Sequence, residues 1–204
     1  MIEYNEFETI LLKKIKNQDD ENKKLLINII DNPNRYFGLF RLSNFKNKLL
    51  QNMTQSREIR FGDFLEELIE LYFYKLKFDI LDKTIHNENN VKLNIDQIFI
   101  RKNVIYIIEQ KIRDDHDSTK KRGQIANFLE KFRLVKEKYK KYQIIGIMWF
   151  IDPTHFKNKN FYESELTNNL NSKNLKLFYG SELFNYLKIP FIWDNLILNL
   201  KKMR

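Results

Sequence analysis

The sequence predicts a mixed α/β fold: a central mixed sheet flanked by helices, behind a helical N-terminal extension. Three stretches predict it. The β-rich runs LNIDQIFI and VIYIIEQK are parted only by RKN, the pattern of a hairpin. YQIIGIMWFI is apolar throughout, as a strand buried on both faces is. Helical periodicity between this run and its neighbours then makes a strand–helix–strand crossover.

In chain order, residues 3–16 and 21–31 have helical patterns, Pro33 and Gly38 interrupt, and 44–51 reads as a short helix. Residues 1–55 thus form a helical extension, and 56–204 a core with a C-terminal helix, together one compact unit. Across 57–77, Phe61, Leu65, Leu68, Ile69, Tyr72 and Leu76 recur at helical spacing, with Asp63, Glu66 and Glu70 on another face. FDILDKT is strand-like and HNENN a polar turn. Residues 93–100 and 104–111 form the hairpin, where Asn103 suits the left-handed conformation of a tight turn. A helix over 123–140, a strand over 142–151 and a helix over 163–171 follow. LKLFYG is a strand, Ser181 caps a helix through ELFNYL, and 191–200 is helical.

Composition narrows the function. A chain of 204 residues with 43% hydrophobic content supports a real core. The net charge of +9 suits a polyanion such as nucleic acid. With a lone alanine, Ala126, and abundant Asn and Ile, part of that lysine excess also fits an AT-rich genome. The absence of cysteine excludes disulfides, zinc–thiolate sites, iron–sulfur clusters and a cysteine nucleophile. His86, His116 and His155 lack zinc-ligand spacing. No signal peptide and no apolar run of membrane-spanning length is seen, so a cytoplasmic location is expected.

Side chains alternate along strands, so Ile105, Ile107, Glu109 and Lys111 share one face and Gln110 points the other way. Pairing across a turn at Lys102–Asn103 brings Asp96 to Glu109 at the open end of the hairpin. Two such carboxylates repel, and a hard Mg2+ relieves the repulsion. Lys111 on the same face can then assist an attacking water and offset charge on a scissile phosphate. The alternative is a salt bridge at a strand end.

Asp-x12-Glu-Gln-Lys, from Asp96 to Lys111, resembles the signature of the PD-(D/E)XK nucleases. RFGDFLEELIELYFYKLKFDIL looks like the first core helix and strand of that fold, and GQIANFLEKF like the helix after the motif. LKLFYGSELFNYL and EQKIRDDHDSTKKRGQ are similar to segments of type II restriction endonucleases. The resemblance covers residues 61–187 and departs from the family at Asn94–Ile95, where proline is frequent. It implies a restriction-endonuclease-like core, Mg2+ with Mn2+ as a substitute, and ligands from Asp96, Glu109 and the Gln110 carbonyl. It also implies a supporting acid at Glu66 (Glu67 or Glu70 as alternatives) and a site contact from Gln124.

RDDHDSTKKRG, beyond the lysine, reads either as a solvated loop or as a DNA-contacting segment. In the second reading Lys120, Lys121, Arg122 and Arg113 meet phosphates, while Asp114, Asp115, His116 and Asp117 accept from bases, orient the cations or touch a second metal. The function expected is site-specific hydrolysis of double-stranded DNA to 5′-phosphate ends. A homodimer and a cognate DNA methyltransferase are the expected partners. A structure-specific repair nuclease such as a junction resolvase is the alternative, and a non-catalytic DNA-binding module a third. An intact acid–acid–lysine set argues against the third. Tyr186 and Trp193 are expected in the core.

Overall fold

The apolar runs of the second half of the chain become neighbouring strands of one sheet. The computed structural model describes residues 1–15, 18–36, 39–40, 44–115 and 117–203. Lys16, Gly38 and His116 lie outside the described residues. Two compact units divide the chain, Ile2–Leu68 and Ile69–Lys202, and the expected boundary after residue 55 falls inside a helix.

The first unit is helical: α1 (Tyr4–Ile15), α2 (Gln18–Asp31), α3 (Pro33–Tyr36) and most of α4 (Phe45–Lys75). Phe7 meets Phe64 edge-on at 5.0 Å, and both are fully buried. Arg60 donates to the Lys14 carbonyl at 2.9 Å, satisfying an end that α1 cannot satisfy itself. Asn44 Oδ1 accepts from the Asn47 amide at 2.9 Å and so caps α4. The two helices expected over 44–51 and 57–77 are one, because the residues between them contain neither glycine nor proline. The helix stops where Lys77 turns left-handed (φ 56°) and the Phe78 amide reaches back to the Phe73 carbonyl, a Schellman-type closure.

The second unit holds β1 (Asp79–Ile80), β2 (Thr84–His86), β3 (Lys92–Asn94), β4 (Gln97–Arg101), β5 (Val104–Lys111), α5 (Ser118–Lys138), β6 (Gln143–Phe150), α6 (Lys159–Thr167), β7 (Leu175–Tyr179), α7 (Glu182–Tyr186) and α8 (Phe191–Lys202). The main sheet has the order β1-β4-β5-β6-β7. It is antiparallel from β1 to β5 and parallel from β5 to β7, the mixed sheet expected. The hairpin closes at Arg101–Val104 with Lys102 (φ 49°) and Asn103 (φ 63°) both left-handed, as a two-residue turn of primed type requires.

Other expected elements differ in extent or capping, and the helix expected over 163–171 runs Lys159–Thr167 as α6, closed where the Asn168 amide donates to the Ser164 carbonyl. FDILDKT divides into β1 and β2, because Asp82 Oδ1 takes the Thr84 amide and turns the chain. The run 93–100 divides at Asp96: β3 pairs with β2 in a separate ribbon, and β4 with β5. Helix α5 begins at Ser118 rather than at Gly123, because Asp117 accepts from the Lys120 amide as its N-cap. Ser181 precedes α7 but makes no side-chain cap; Glu182 Oε2 instead accepts from the Tyr179 amide at 2.7 Å.

Helix α5 covers the sheet face lined by Ile98, Ile105, Ile107, Ile144 and Met148, using Ile125, Phe128, Phe132 and Val135. Gly146 permits its close approach. A Cβ there would lie 2.6 Å from Phe132 and 2.9 Å from Leu175. On the opposite face Phe99 stacks among Phe73, Phe78 and Tyr106, and Trp149 meets Phe184 edge-on. Trp193 lies 6.2 Å from Phe184 and Tyr186 lies 5.1 Å from Phe178, ring to ring, but neither is in the core as expected: Tyr186 is exposed and Trp193 half-buried, because each packs one side on its neighbouring ring and leaves the other to solvent. These layers fix the open end of the hairpin, where β5 carries its charged residues.

Candidate active site

Hairpin register determines what meets at the open end of the hairpin, on the middle strand of the sheet. Gln97 pairs with Ile108 and Ile98 with Ile107, so one further step sets Asp96 opposite Glu109. Asp96 lies in the bend before β4, and its Oδ2 accepts the Gln110 amide at 2.7 Å. Lys111 Nζ then lies 2.8 Å from Glu109 Oε1, 3.0 Å from the Gln110 carbonyl oxygen and 3.5 Å from Asp96 Oδ2. Three oxygens from three residues therefore gather round one ammonium. The pairing read from the sequence is the pairing in the structure.

A residue not anticipated completes the cluster. Lys131, from the middle of α5, places Nζ 2.7 Å from Glu109 Oε2. Its side chain is 8% exposed and that of Glu109 is 7%, against 18% for Asp96 and 27% for Lys111. Its one signal in the sequence was position. It shares the buried arc of α5 with Phe128, Phe132 and Val135, at spacings of three and four residues.

The electrostatics follow from this crowding. Burial, and then the Glu109 carboxylate, push the Asp96 carboxyl up to about 6, against the opposing pull of Lys111, the Gln110 amide and Lys131. Burial alone would lower the Lys111 ammonium. Asp96 and then Glu109 outweigh it and hold the pKa above the ordinary lysine value, so Lys111 is a cation at neutral pH.

Among the described residues no three acidic or histidine side chains cluster as a metal site. Two carboxylates and a carbonyl nonetheless suit Mg2+, which keeps several waters and binds through one or two carboxylates. The three oxygens already converge on a cation, so the donor set fits such an ion. The Gln110 side chain lies on the other face of the strand, buried, and its carboxamide oxygen has no hydrogen-bond partner among the described residues.

The remaining candidates are placed as follows. Glu66 lies on α4 in the first unit. Its two alternatives are engaged in ion pairs, Glu67 with Lys14 at 2.8 Å and Glu70 with Lys83 at 2.7 Å. Arg113 lies 3.9 Å from Asp115, and Lys120 and Arg122 are exposed. Lys121 is drawn inward, 3.1 Å from Asn158 Oδ1 and over the Phe161 ring. Gln124 Oε1 accepts from the Tyr162 hydroxyl at 2.9 Å.

Asp114 is not at the surface. It is fully buried, and its carboxylate accepts from the Asn158 amide and Asn158 Nδ2, each at 2.8 Å, and from the Tyr179 hydroxyl at 3.0 Å. Its carbonyl accepts from the Lys157 amide. Burial, and then the Asp114 charge, push the Tyr162 and Tyr179 hydroxyls well above the usual tyrosine value, so both remain donors. Asp114 thus joins the segment after β5 to the segment after β6, and Asp117 is used as a helix cap. Buried and fully engaged, Asp114 is not placed to accept from a base.

No curated protein and no solved structure matches the chain. A family model does: that of the type II restriction endonuclease HinfI, over residues 3–86 and 75–204. That match spans nearly the whole chain, and it meets a mixed sheet whose hairpin end brings two acids and a lysine together. The chain belongs to the HinfI family of type II restriction endonucleases.

Proposed function

We propose that the protein hydrolyses phosphodiester bonds of double-stranded DNA at a specific sequence, using Mg2+ (Mn2+ substituting) and leaving 5′-phosphate and 3′-hydroxyl ends. The convergence of Asp96, Glu109 and the Gln110 carbonyl on a single cationic point carries this reading. Those oxygens would hold the metal. When bound, Mg2+ supplies Lewis-acid activation of a water and neutralises charge on the reacting phosphate.

The residues of the chain do the rest. Lys111, a cation beside the oxygens that would hold the metal, would offset the negative charge that develops on the attacking water and the phosphate. Glu66 is the proposed supporting acid. Arg113, Lys120, Lys121 and Arg122 are the proposed phosphate contacts, and Asp115, His116 and Gln124 the further proposed contacts to DNA. Folding removes Asp114 from the outer surface of this segment, which leaves it more basic than its sequence reads. A homodimer built with the help of the helical extension, a cognate methyltransferase that protects the host DNA and a cytoplasmic location complete the proposal.

Incubation of the purified protein with long unmethylated DNA tests it. Discrete bands are expected with Mg2+ and none in excess EDTA. Full activity in EDTA overturns the metal role, and cutting confined to four-way junctions overturns sequence-specific restriction.

A further inference from the structure

Glu109 is held by two lysines in different ways. Lys111 takes Oε1 and is also within reach of Asp96 and the Gln110 carbonyl, on the partly open side. Lys131 takes Oε2 from the helix side and is almost wholly buried. We propose that Lys131 is a positioning residue that commits Glu109 Oε2, leaves Oε1 alone for a metal, and thereby makes the site one that takes a single divalent cation. This rests on the reading of Asp96 and Glu109 as metal ligands.

Burial rules out direct action on the substrate. Lys131 sits on the arc of α5 that packs against the sheet, among Phe128, Phe132 and Val135. A buried ammonium needs a carboxylate partner, and Glu109 supplies one at 2.7 Å. The pair therefore holds together whether or not Lys111 moves. A carboxylate held at one oxygen cannot swing, and the other oxygen keeps one bearing toward the Asp96 side. A second cation would need donors on the Lys131 side of Glu109. A fixed positive charge stands there, and no third carboxylate joins the pair in a metal-binding cluster among the described residues.

Two opposite effects follow from that charge. Lys131 repels a cation bound beside Glu109, so it weakens metal affinity. It also fixes the ligand, so it favours the reactive geometry. Replacement of Lys131 should therefore tighten metal binding and slow cutting. General loosening of the fold would weaken both.

The test uses the full chain, with Mn2+ binding followed by electron paramagnetic resonance and cleavage followed at saturating Mg2+. The wild type should bind one Mn2+ per chain. Lys131→Met, apolar and of similar length, should bind Mn2+ about tenfold more tightly. Its cleavage rate should fall by about 100-fold, with DNA affinity within about twofold of wild type. Lys131→Arg, which keeps a cation, should restore wild-type Mn2+ affinity and a substantial part of the rate. If Lys131→Met does not fold, the arginine variant and the wild-type stoichiometry decide. Two Mn2+ per wild-type chain, a methionine variant that binds no tighter or cuts as wild type, or an arginine variant that restores neither overturns the proposal. Asp96→Ala and Glu109→Ala separate the two levels. If Mn2+ binding survives both, the metal reading itself falls; if it is lost while Lys131→Met behaves as wild type, only the role of Lys131 falls.

Discussion

Asp96 is ionised at neutral pH at a cost to the metal-free protein. Its pKa in the fold, about 6, lies above the 3.8 of an unperturbed aspartate, chiefly because it is buried and faces Glu109. The folded state therefore binds this proton more tightly than the unfolded state does. The stabilisation from protonation is complete below about 4 and is lost as pH rises through about 6, amounting to about 3 kcal/mol. In EDTA at pH 8, Asp96→Asn should thus melt above the wild type, with the gap closing as pH falls toward 4. A variant no more stable than wild type at pH 8 contradicts this account. Lys111→Ala should slow single-turnover cleavage by about 1,000-fold while DNA affinity changes by about threefold or less, because its role lies in the transition state. A near-normal rate removes Lys111 from the mechanism. Asp96, Glu109 and Lys111 were legible because hairpin pairing is arithmetic once the turn is found. Lys131 was not, since lysines are everywhere in this chain and its partner lies 22 residues away in another element.

Among the elements, the hairpin is the one on which the site depends. Asn103 holds a φ of 63°, which a β-branched residue adopts only with strain. Asn103→Val should cost about 1–3 kcal/mol, read as a lower denaturant midpoint. No change would mean that the turn tolerates other geometries and does not set the register. The hairpin and the buried parallel strands were readable because turn chemistry and apolar runs are local signals. The breaks in FDILDKT and at Asp96 were not, because they depend on which strand pairs with which, and β3 chooses β2 while β4 chooses β5. The continuity of α4 was missed for the opposite reason: residues 52–56 are mostly polar and carry little helical pattern, but they contain neither glycine nor proline to break a helix.

For the molecule as a whole, charge sets how it meets DNA. The net +9 gives long-range attraction, and the exposed cations after Lys111 give it a place. Lys120→Ala should weaken binding to all duplexes alike and reduce the salt dependence, as a log–log slope, by about one. A loss confined to the cognate sequence would instead make Lys120 a base-reading residue.

The buried Asp114 carboxylate has a kinetic consequence. The segments after β5 and β6 share it, and the Asp152, Lys157 and Asn158 amides all donate across the seam between them. Neither segment can detach without breaking the bonds of the other. Under native conditions these three amides should then exchange with deuterium at one common rate, as a single cooperative opening. Asp114→Asn should speed all three together, and scattered individual rates would show that the two segments breathe apart.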